Sequence, residues 1–406
     1  MEHYDIYDQN YVRLAQNEGK IVLAKIEVLD HLEYTIYEIT DDIIIDSENY
    51  SKTYGQGIQG KFSFQIYNHD HKYDTNENSP FWFDKKIRYY KGLKDRYTGD
   101  IYWFSKGIFT TTGISQENDI ISIDCVDKFG LLTSETGGAC LENATKIELG
   151  DKVGQMFVDM LSQEKGNGRP TDPINPLIDF DTRDIELGED IELSTGSYFG
   201  DIFTELANSL KCRMYYDNVG HLVLTRGSSD FEFKNKAPMW VFDDKATAEY
   251  ISSSLTYNFS DVKNRVTVWG ENFDGASFVG VAENDNPKSP VRISLVGYRV
   301  AKTMEDMFGY EQANVDAYAE MYLKMKSIIG MSVKLDCTML PHLDVEDVIL
   351  VRNEELGLDN VRFLISEISI NGNEMSISLC NVDNLPEFSE FEWLAMCVII
   401  RWWESD

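Results

Sequence analysis

The sequence predicts a mainly β fold with α+β insertions. Several runs alternate apolar and polar residues with a period of two, which is typical of half-buried strands. Clusters of Asn, Asp and Gly, such as NHDHKYD and NGNE, separate many of these runs and are typical of turns. Apolar residues with a helical period occur mainly in two regions, residues 151–212 and 313–329. The pattern therefore predicts β domains that are interrupted by a few helices.

The first predicted β domain spans residues 20–137 and follows an N-terminal segment, residues 1–19. In GKFSFQIYN, the alternation points Phe62, Phe64 and Ile66 to one face and the polar residues to the other. The run DIISIDCVD alternates in the same way, through Ile121, Ile123 and Cys125.

Residues 138–238 are predicted to form an inserted small α+β domain. DKVGQMFVDMLSQE places five apolar residues on one face of a helix, and SYFGDIFTELANSLKC repeats that pattern. The runs CRMYYDN and VGHLVLTR follow as a strand pair around a turn at Asp217 to Gly220.

The second predicted β domain spans residues 239–386 and contains one helix. NRVTVWGEN alternates through Val266 and Val268, and a helix is predicted over residues 313–326. The runs ISEISI and MSISL, separated by NGNE, predict a hairpin with Asn-Gly in its turn.

Composition excludes several classes of function. The 406 residues include 69 acidic and 37 basic ones, a net charge of −32, which opposes binding to nucleic acid or anionic lipid. The same charge suits an acidic channel through which DNA slides without adhesion. The six cysteines form no CxxC pair and are predicted to be buried free thiols. No apolar run reaches 18 residues, and the N-terminus lacks the pattern of a secretory signal, so neither a membrane span nor secretion is predicted.

One short stretch raises the question of a metal site, because His69, Asp70, His71 and Asp74 lie close together. Alternation sends the two histidines to opposite faces and no further His-rich motif follows, so the pattern favours a solvated turn. The carboxylate-rich stretch 179–193 lacks the glycine and glutamate spacing of an EF-hand and favours an acidic loop. No catalytic, metal or cofactor residue is therefore predicted.

Two segments are predicted to be contact surfaces. The loop 270–292 is polar and rich in Gly, Asn and Asp, and loops of this length usually have a partner. The C-terminal appendage, residues 387–406, contains the apolar run WLAMCVIIRWW between acidic residues. This run favours a helix buried against neighbouring chains, with a plug or a membrane contact as the alternative. The candidate interface residues are Asp274, Phe278, Asn284, Asp285, Trp393, Ile399, Trp402 and Trp403.

Three groups of motif residues follow one another within residues 20–385. They are Asn68, Asp70, Tyr73 and Ser79-Pro80 after the first quoted strand, Asp127, Leu131 and Leu132 after the second, and Asn264, Val266, Gly270, Asp285, Pro287, Ser289-Pro290 and Gly297 in the second β domain. Their order resembles that of the phage tail hub family, the tail-tip and baseplate hubs of long-tailed phages and contractile injection machines.

This resemblance implies a baseplate-hub-like fold with two tube-like β-barrel domains and a small α+β domain. It also implies a homotrimer that forms a pseudo-sixfold ring, closes the tail tube and adapts its sixfold symmetry to a threefold tip. The implied partners are a tail tube or distal tail protein ring, tip, spike or other baseplate proteins, a tape measure protein, and DNA that passes without sequence-specific binding. The implied location is the virion tail tip or baseplate, after synthesis in the host bacterial cytoplasm.

Two other classes of function remain as alternatives to a non-enzymatic hub. A tail-associated hydrolase of cell wall or polysaccharide would need a cleft with converging carboxylates. A carbohydrate-binding module would need an exposed aromatic platform, for which Tyr89, Tyr90 and Trp103 are the candidates.

Overall fold

The N-terminal part of the described chain is a short helix, α1 (Gln9–Ala15), which buries Tyr11, Val12 and Leu14. The computed structural model describes residues 8–382 except for 18, 56, 137, 149, 165–167, 179–182, 184–190, 210–211, 227–232, 234, 246–248, 272–276 and 301–311, and residues 1–7 and 383–406 also lie outside it. Within the described residues no helix is long and apolar enough to cross a membrane.

The first half of the main sheet comes from the first predicted β domain. In the strand that contains Phe62, Phe64 and Ile66, these three residues are buried while Lys61 and Gln65 are exposed, so the predicted alternation is confirmed. The seven strands of this half are β1 (Ile21–Leu29), β2 (Thr35–Ile39), β3 (Asn49–Thr53), β4 (Gly60–Tyr67), β5 (Lys86–Lys94), β6 (Ile101–Glu117) and β7 (Ile120–Asp127).

A small α+β unit follows, with a hydrophobic cluster of its own. Both predicted helices form, and the apolar stripe through Val153, Phe157 and Leu161 is buried against Phe203. The predicted strand pair also forms, with Tyr216 opposite Leu222. The elements are β8 (Thr145–Ile147), α2 (Val153–Ser162), β9 (Leu177–Ile178), β10 (Ile191–Leu193), α3 (Phe199–Ser209), β11 (Cys212–Tyr216) and β12 (Leu222–Arg226).

The second half of the main sheet comes from the second predicted β domain. The predicted terminal hairpin is confirmed: Asn371 pairs with Glu374 around the two-residue turn Gly372-Asn373. The elements of this part of the chain are β13 (Trp240–Asp243), β14 (Tyr250–Asn258), β15 (Arg265–Glu271), β16 (Ser277–Glu283), α4 (Ile293–Val296), α5 (Gln312–Lys326), β17 (Gly330–Thr338), β18 (Val348–Asn353), β19 (Leu358–Asn371) and β20 (Glu374–Asn381).

The two halves join edge to edge through β3 and β19, which pair antiparallel from Asn49 opposite Asn371 to Thr53 opposite Glu367. Among the described residues this joint gives one 13-stranded sheet with the order β14-β17-β20-β19-β3-β4-β7-β6-β5-β1-β2, to which β18 and β13 attach beside β19. One hydrophobic cluster underlies both halves. The mainly β fold is confirmed, while the division into two barrels and the domain boundaries stay predictions.

Strands β15 and β16 do not join the main sheet within the described residues, but pair with each other. Helix α5 packs on one face of this pair, and Val266, Val268 and Ala282 form a small cluster there with Val315 and Ala319. Residues 259–329 are thus an insert between β14 and β17, which are neighbours in the main sheet.

Candidate interaction surfaces

The solvent side of the main sheet carries small polar side chains across seven neighbouring strands, a width of roughly 30 Å at the usual strand spacing. One row in register runs from Ser252 through Asp336, Ser376 and Ser369 to Ser51. We call this surface the polar face. Its residues are Ser252, Ser254, Thr256, Asn258, Ser332, Lys334, Asp336, Glu374, Ser376, Ser378, Glu367, Ser369, Asn371, Asn49, Ser51, Thr53, Lys61, Ser63, Gln65, Ser122 and Asp124.

The polar face is close to neutral although the chain carries −32 charges. It holds four carboxylates, Asp124, Asp336, Glu367 and Glu374, against two lysines, Lys61 and Lys334. Serine hydroxyls bind the carboxylates locally: Ser252 Oγ donates to Asp336 Oδ2 at 2.8 Å and Ser376 Oγ donates to Asp336 Oδ1. The hydrogen bonds from Ser376 and Ser252 lower the pKa of Asp336, so this carboxylate stays ionised.

An open depression of about 480 Å³ lies on the polar face where the two halves meet. Its lining includes Asn49, Lys61 and Ser369, together with the carboxylates of Asp124 and Glu135. It is shallow and polar, and both halves of the sheet contribute to it. This geometry is that of an extended wall and differs from the enclosed cleft that a glycan hydrolase needs.

Two of the carboxyl groups whose pKa values rise through burial, Asp127 and Glu249, are held inside the fold. Burial raises the pKa of Asp127 to about 6, although Gln59 N and Gly60 N donate to its Oδ2 at 2.6 and 2.7 Å. Burial also raises the pKa of Glu249, whose Oε1 accepts from Trp240 Nε1 at 2.9 Å. Both groups are therefore hydrogen-bonded to other parts of the fold.

The proposed aromatic platform for carbohydrate does not form at Tyr89. This side chain is fully buried and stacks on Phe62, with ring centroids 4.1 Å apart. Tyr90 is half-buried, and the Lys25 ammonium lies 4.3 Å from its ring centroid.

The motif residue Asp127 caps the turn that follows β7, as the resemblance implies. Its Oδ1 accepts from Phe129 N at 3.0 Å, and a 3-10 turn runs over Lys128–Leu132. One carboxylate therefore holds both the entry to β4 and the start of this turn.

The histidine-containing stretch after β4 is a hydrogen-bonded turn. Asn68 Oδ1 accepts from Tyr73 N at 2.7 Å, and Asn68 Nδ2 donates to Asp74 Oδ1 at 2.8 Å. The Tyr73 hydroxyl donates to Asp42 Oδ2 at 2.5 Å. His71 is exposed, with Nδ1 3.1 Å from Asp74 Oδ1. In the part of the chain that the structure describes, no group of three or more His, Cys, Asp or Glu is placed to hold a metal ion.

A buried ion cluster connects the first half of the sheet to the α+β unit. Lys128 Nζ lies 2.5 Å from Glu33 Oε1 and 2.7 Å from Asp172 Oδ1, and it donates to Gly220 O at 2.7 Å. Lys86 Nζ donates to the same Glu33 oxygen. Two lysines thus face two carboxylates in a site without solvent, where loss of one partner would leave an unpaired buried charge.

A second polar cluster joins all three parts of the fold. Asn218, in the turn between β11 and β12, accepts from Lys52 Nζ at 2.9 Å and donates to Asp344 Oδ2 at 2.5 Å. Lys52 belongs to β3, and Asp344 precedes β18. Lys106 Nζ donates to Leu343 O at 2.9 Å in the same region. Burial opposes the charge of Asp344, but Lys52 and Lys106 outweigh it and lower its pKa.

Sequence reasoning missed these buried lysines, although a signal for them exists. Lys91 lies in β5 at the same alternation phase as Ile87, Tyr89 and Leu93, and all four are buried. A lysine at a strand position that alternation places in the core predicts an acidic side chain beside it inside the fold. Here the partner is Glu48, whose Oε1 lies 3.2 Å from Lys91 Nζ.

Within the described residues the main path of the sheet ends in two free edges, β14 at one end and β2 at the other, and the side branch ends in a third, β13. The two edges of the main path expose large apolar residues: Ile251 and Tyr257 on β14, and Ile36 on β2. Free edges of this kind are templates for pairing with another chain.

The insert exposes a second apolar surface on the side of β15 and β16 that faces away from α5. Trp269 pairs with Val279, and Val281 follows on the same side of the hairpin. These side chains are 39%, 51% and 47% exposed, respectively. We call this surface the hairpin face, and it is bordered by the Arg265–Glu283 ion pair at 3.2 Å.

The predicted interface residues fall into two groups. Phe278 is half-buried against the small cluster under α5, and Asn284 Nδ2 donates to Ser289 Oγ at 3.0 Å. Asp285 is exposed and its Oδ1 accepts from Ser294 N at 3.2 Å. The five others lie outside the described residues: Asp274, Trp393, Ile399, Trp402 and Trp403. Their role as an interface stays a prediction.

Comparison with solved structures identifies the fold. No protein-family model and no curated protein sequence matches the chain significantly. A tail protein from Neisseria meningitidis superposes with a TM-score of 0.57 at 12% identity, over 93% of this chain and 99% of that one. The 43 kDa tail protein of prophage MuSo2 from Shewanella oneidensis gives 0.56 at 14% identity, over 90% and 100%.

A chain of the Francisella PdpA–VgrG complex is also similar, with a TM-score of 0.53 at 16% identity, over 92% of this chain and 54% of that one. The chain therefore has the fold of these phage tail proteins and of this chain of the PdpA–VgrG complex. The resemblance predicted from the motif residues is confirmed at the level of the fold.

Proposed function

We propose that this chain is a structural, non-enzymatic hub at the tip or baseplate of a phage tail or a related injection machine. The observation that carries the proposal is the continuous sheet, which runs through both halves and presents the polar face over seven strands. The tail-protein fold supports the same role. The place of action is the virion tail tip or baseplate, after synthesis in the host cytoplasm.

The polar face is proposed to be the wall of a channel that closes the distal end of the tail tube. Hydroxyl and amide groups present no net charge, so DNA or a tape measure protein passes without being held or strongly repelled. The sequence predicts an acidic channel, whereas the wall proposed here is close to neutral, because most of the 69 acidic residues lie elsewhere on the chain.

Three copies are proposed to form the ring. The free edges β14 and β2 differ in sequence, so pairing of β14 with β2 of the next copy is a head-to-tail contact, and such contacts close into rings. Each chain then supplies two sheet halves, and three chains present six halves to a sixfold tube and a threefold tip.

The proposed partners are a tail tube or distal tail protein ring on one side and tip, spike or other baseplate proteins on the other. The similarity to a component of the Francisella PdpA–VgrG complex supports partners of this kind. Membrane contact by residues 387–406, the alternative to a packed C-terminal helix, stays a prediction, because these residues lie outside the described part of the chain.

Native mass spectrometry and electron microscopy of the purified protein test this function. With a chain mass of 46.6 kDa, a trimer has a mass of about 140 kDa, and its end-on projection shows threefold symmetry with a central bore. Replacing Ile251 and Tyr257 on β14 by Glu is expected to yield folded monomers. Replacing Tyr97 and Phe83, which are exposed large apolar residues away from the edge strands, by Glu is the control and leaves the trimer intact. A wild-type protein that stays monomeric up to high concentration contradicts the proposal.

A further inference from the structure

The hairpin face exposes three apolar side chains at positions where an exposed strand pair normally presents polar ones. In an antiparallel pair with one face packed on a helix, the other face is expected to be polar. The free-edge strand β14 of the same chain follows this rule and turns Ser252, Ser254 and Thr256 to solvent. Strand β16 breaks it with Val279 and Val281. Two half-exposed valines beside a tryptophan indicate a surface that another segment covers.

The chain itself leaves the described structure next to this surface. Cys380 pairs with Ser332, so two residues further along the ladder Val382 lies level with Gly330. Gly330 pairs with Asn258, the residue from which the insert departs. The last described residue and the base of the insert are therefore two strand spacings apart, about 10 Å.

The length of the following segment is sufficient to reach the hairpin face. Ten residues, 383–392, connect Val382 to Trp393, and an extended chain of this length spans up to about 33 Å. The insert needs only six residues between Asn258 and Arg265, where the hairpin begins. The C-terminal arm is thus longer than the arm that carries the hairpin.

The chemistry of the two partners is complementary. Residues 393–403, WLAMCVIIRWW, are apolar with one arginine, and acidic residues Glu390, Glu392 and Glu404 flank them. At the base of the hairpin, Lys263 and the ion pair between Arg265 and Glu283 border the apolar surface. Apolar contact in the centre with charged groups at the rim is the usual arrangement of a specific interface.

We propose that residues 393–403 pack on the hairpin face of their own chain, through Trp269, Val279 and Val281. The C-terminal segment then acts as a strap that fixes the insert relative to the main sheet. The interaction lies within one chain and does not depend on the number of copies in the ring. A test of the strap is therefore independent of a test of the hub function.

Photo-cross-linking of the full-length protein tests the strap. A benzoylphenylalanine introduced at Val281 is expected to cross-link to peptides from residues 393–403, in a species with the mass of a single chain on a denaturing gel. The same probe at Tyr97, which is 88% exposed in the turn between β5 and β6, is the matched control and gives no such peptide. Cross-links only in species of double mass, or to other peptides, would overturn the proposal in favour of a second copy or another partner.

Hydrogen exchange gives a second, independent measurement. In a chain truncated after residue 387, backbone amides of β15 and β16 are expected to exchange at least about fivefold faster than in the full chain, because the hairpin loses its cover. Amides of β4, which is central in the main sheet, serve as the control and keep their rates. Unchanged exchange in the hairpin after truncation contradicts the strap.

Discussion

Buried lysines are the residues that most clearly separate this chain from a simple β protein. Lys52, Lys91, Lys106 and Lys128 are all inside the described fold, and each meets a carboxylate or a backbone carbonyl. Such pairs contribute little net stability compared with apolar packing, but breaking one is costly. Because these contacts connect segments far apart in sequence, the lysines select one arrangement of the three parts.

The pH dependence of stability is predicted from Lys106. Burial lowers its pKa from 10.5 to about 8, although Asp344 acts in the opposite direction. Between pH 8 and 10.5 the unfolded chain therefore binds more protons at this residue than the folded chain does. The contribution of Lys106 to the free energy of unfolding thus rises with pH across this window, by roughly 1.4 kcal/mol for each unit of pKa difference.

Urea unfolding of the wild type and of Lys106→Met at pH 7, 8, 9 and 10 measures this effect. The difference in the free energy of unfolding, wild type minus variant, should increase between pH 8 and 10 and stay constant below pH 7. Parallel curves for the two proteins over the whole range would show that the Lys106 ammonium is not desolvated in the fold.

The joint between β3 and β19 is the element on which the continuous sheet depends. The turn between β19 and β20 rests against the segment that leads into β3, and Gly372 N donates to Glu48 O at 2.8 Å. Gly372 has φ +57°, and a Cβ at this position would lie 2.7 Å from the Cα of Asp46. Only glycine satisfies both the backbone conformation and the close approach.

Two glycine substitutions separate these two requirements. Gly357 has φ +69° with open space around it, so Gly357→Ala should cost only the left-handed conformation, about 1–2 kcal/mol. Gly372→Ala should cost about 1–3 kcal/mol more because of the steric clash with Asp46. Urea unfolding followed by tryptophan fluorescence measures both values. Equal losses in the free energy of unfolding for the two variants would mean that the Gly372 turn makes no close contact with the segment before β3.

Local sequence patterns predicted individual elements well but not their assembly. Strands β4 and β7, helices α2 and α3 and the last hairpin follow from periodicity and turn residues, because these signals lie within a few neighbouring positions. The pairing of β3 with β19 has no local signature, since β3 is only five residues long and its partner is over 300 residues away. For the same reason, the sequence pattern assigned β15 and β16 to the second β domain and did not predict that they form a separate insert.

The candidate surfaces were predictable only in part. The stretch 270–292 was predicted from its polar composition to be an exposed loop, but this is wrong for part of it, because strand β16 (Ser277–Glu283) lies within the stretch and carries the exposed Val279 and Val281. The polar face was not predictable, because each strand supplies only two to four of its residues and the register of seven strands assembles them.

At the scale of the whole molecule, charge is distributed unevenly. The polar face carries two net negative charges, from four carboxylates and two lysines, while the chain carries −32. The proposed channel wall therefore predicts weak interaction with nucleic acid, since binding to DNA depends mainly on neutralised phosphates.

Three added lysines on the polar face test this expectation. The variant Ser63→Lys, Ser254→Lys, Ser369→Lys should bind a short DNA duplex at least about tenfold more tightly than the wild type at low salt, with the gain lost at high salt. Fluorescence anisotropy measures the affinity. Thr75→Lys, Phe83→Lys, Tyr97→Lys adds the same charge on exposed loops and is the control. Equal affinities for the two variants would indicate that the polar face does not line an enclosed channel.

The same long-range joint has a consequence during synthesis on the ribosome. Thr53 of β3 is made 314 residues before its partner Glu367. At bacterial elongation rates of roughly 5–20 residues per second, the hydrogen-bonding edge of β3 waits about 15–60 s for β19. During that interval one hydrogen-bonding edge of β3 in the nascent first half is unpaired. Such an edge can pair with a neighbouring nascent chain and cause premature association. Lys52, in the middle of β3, places a charged side chain at this edge before Asp344 and Asn218 bind it. A charge on an edge strand opposes pairing with another chain.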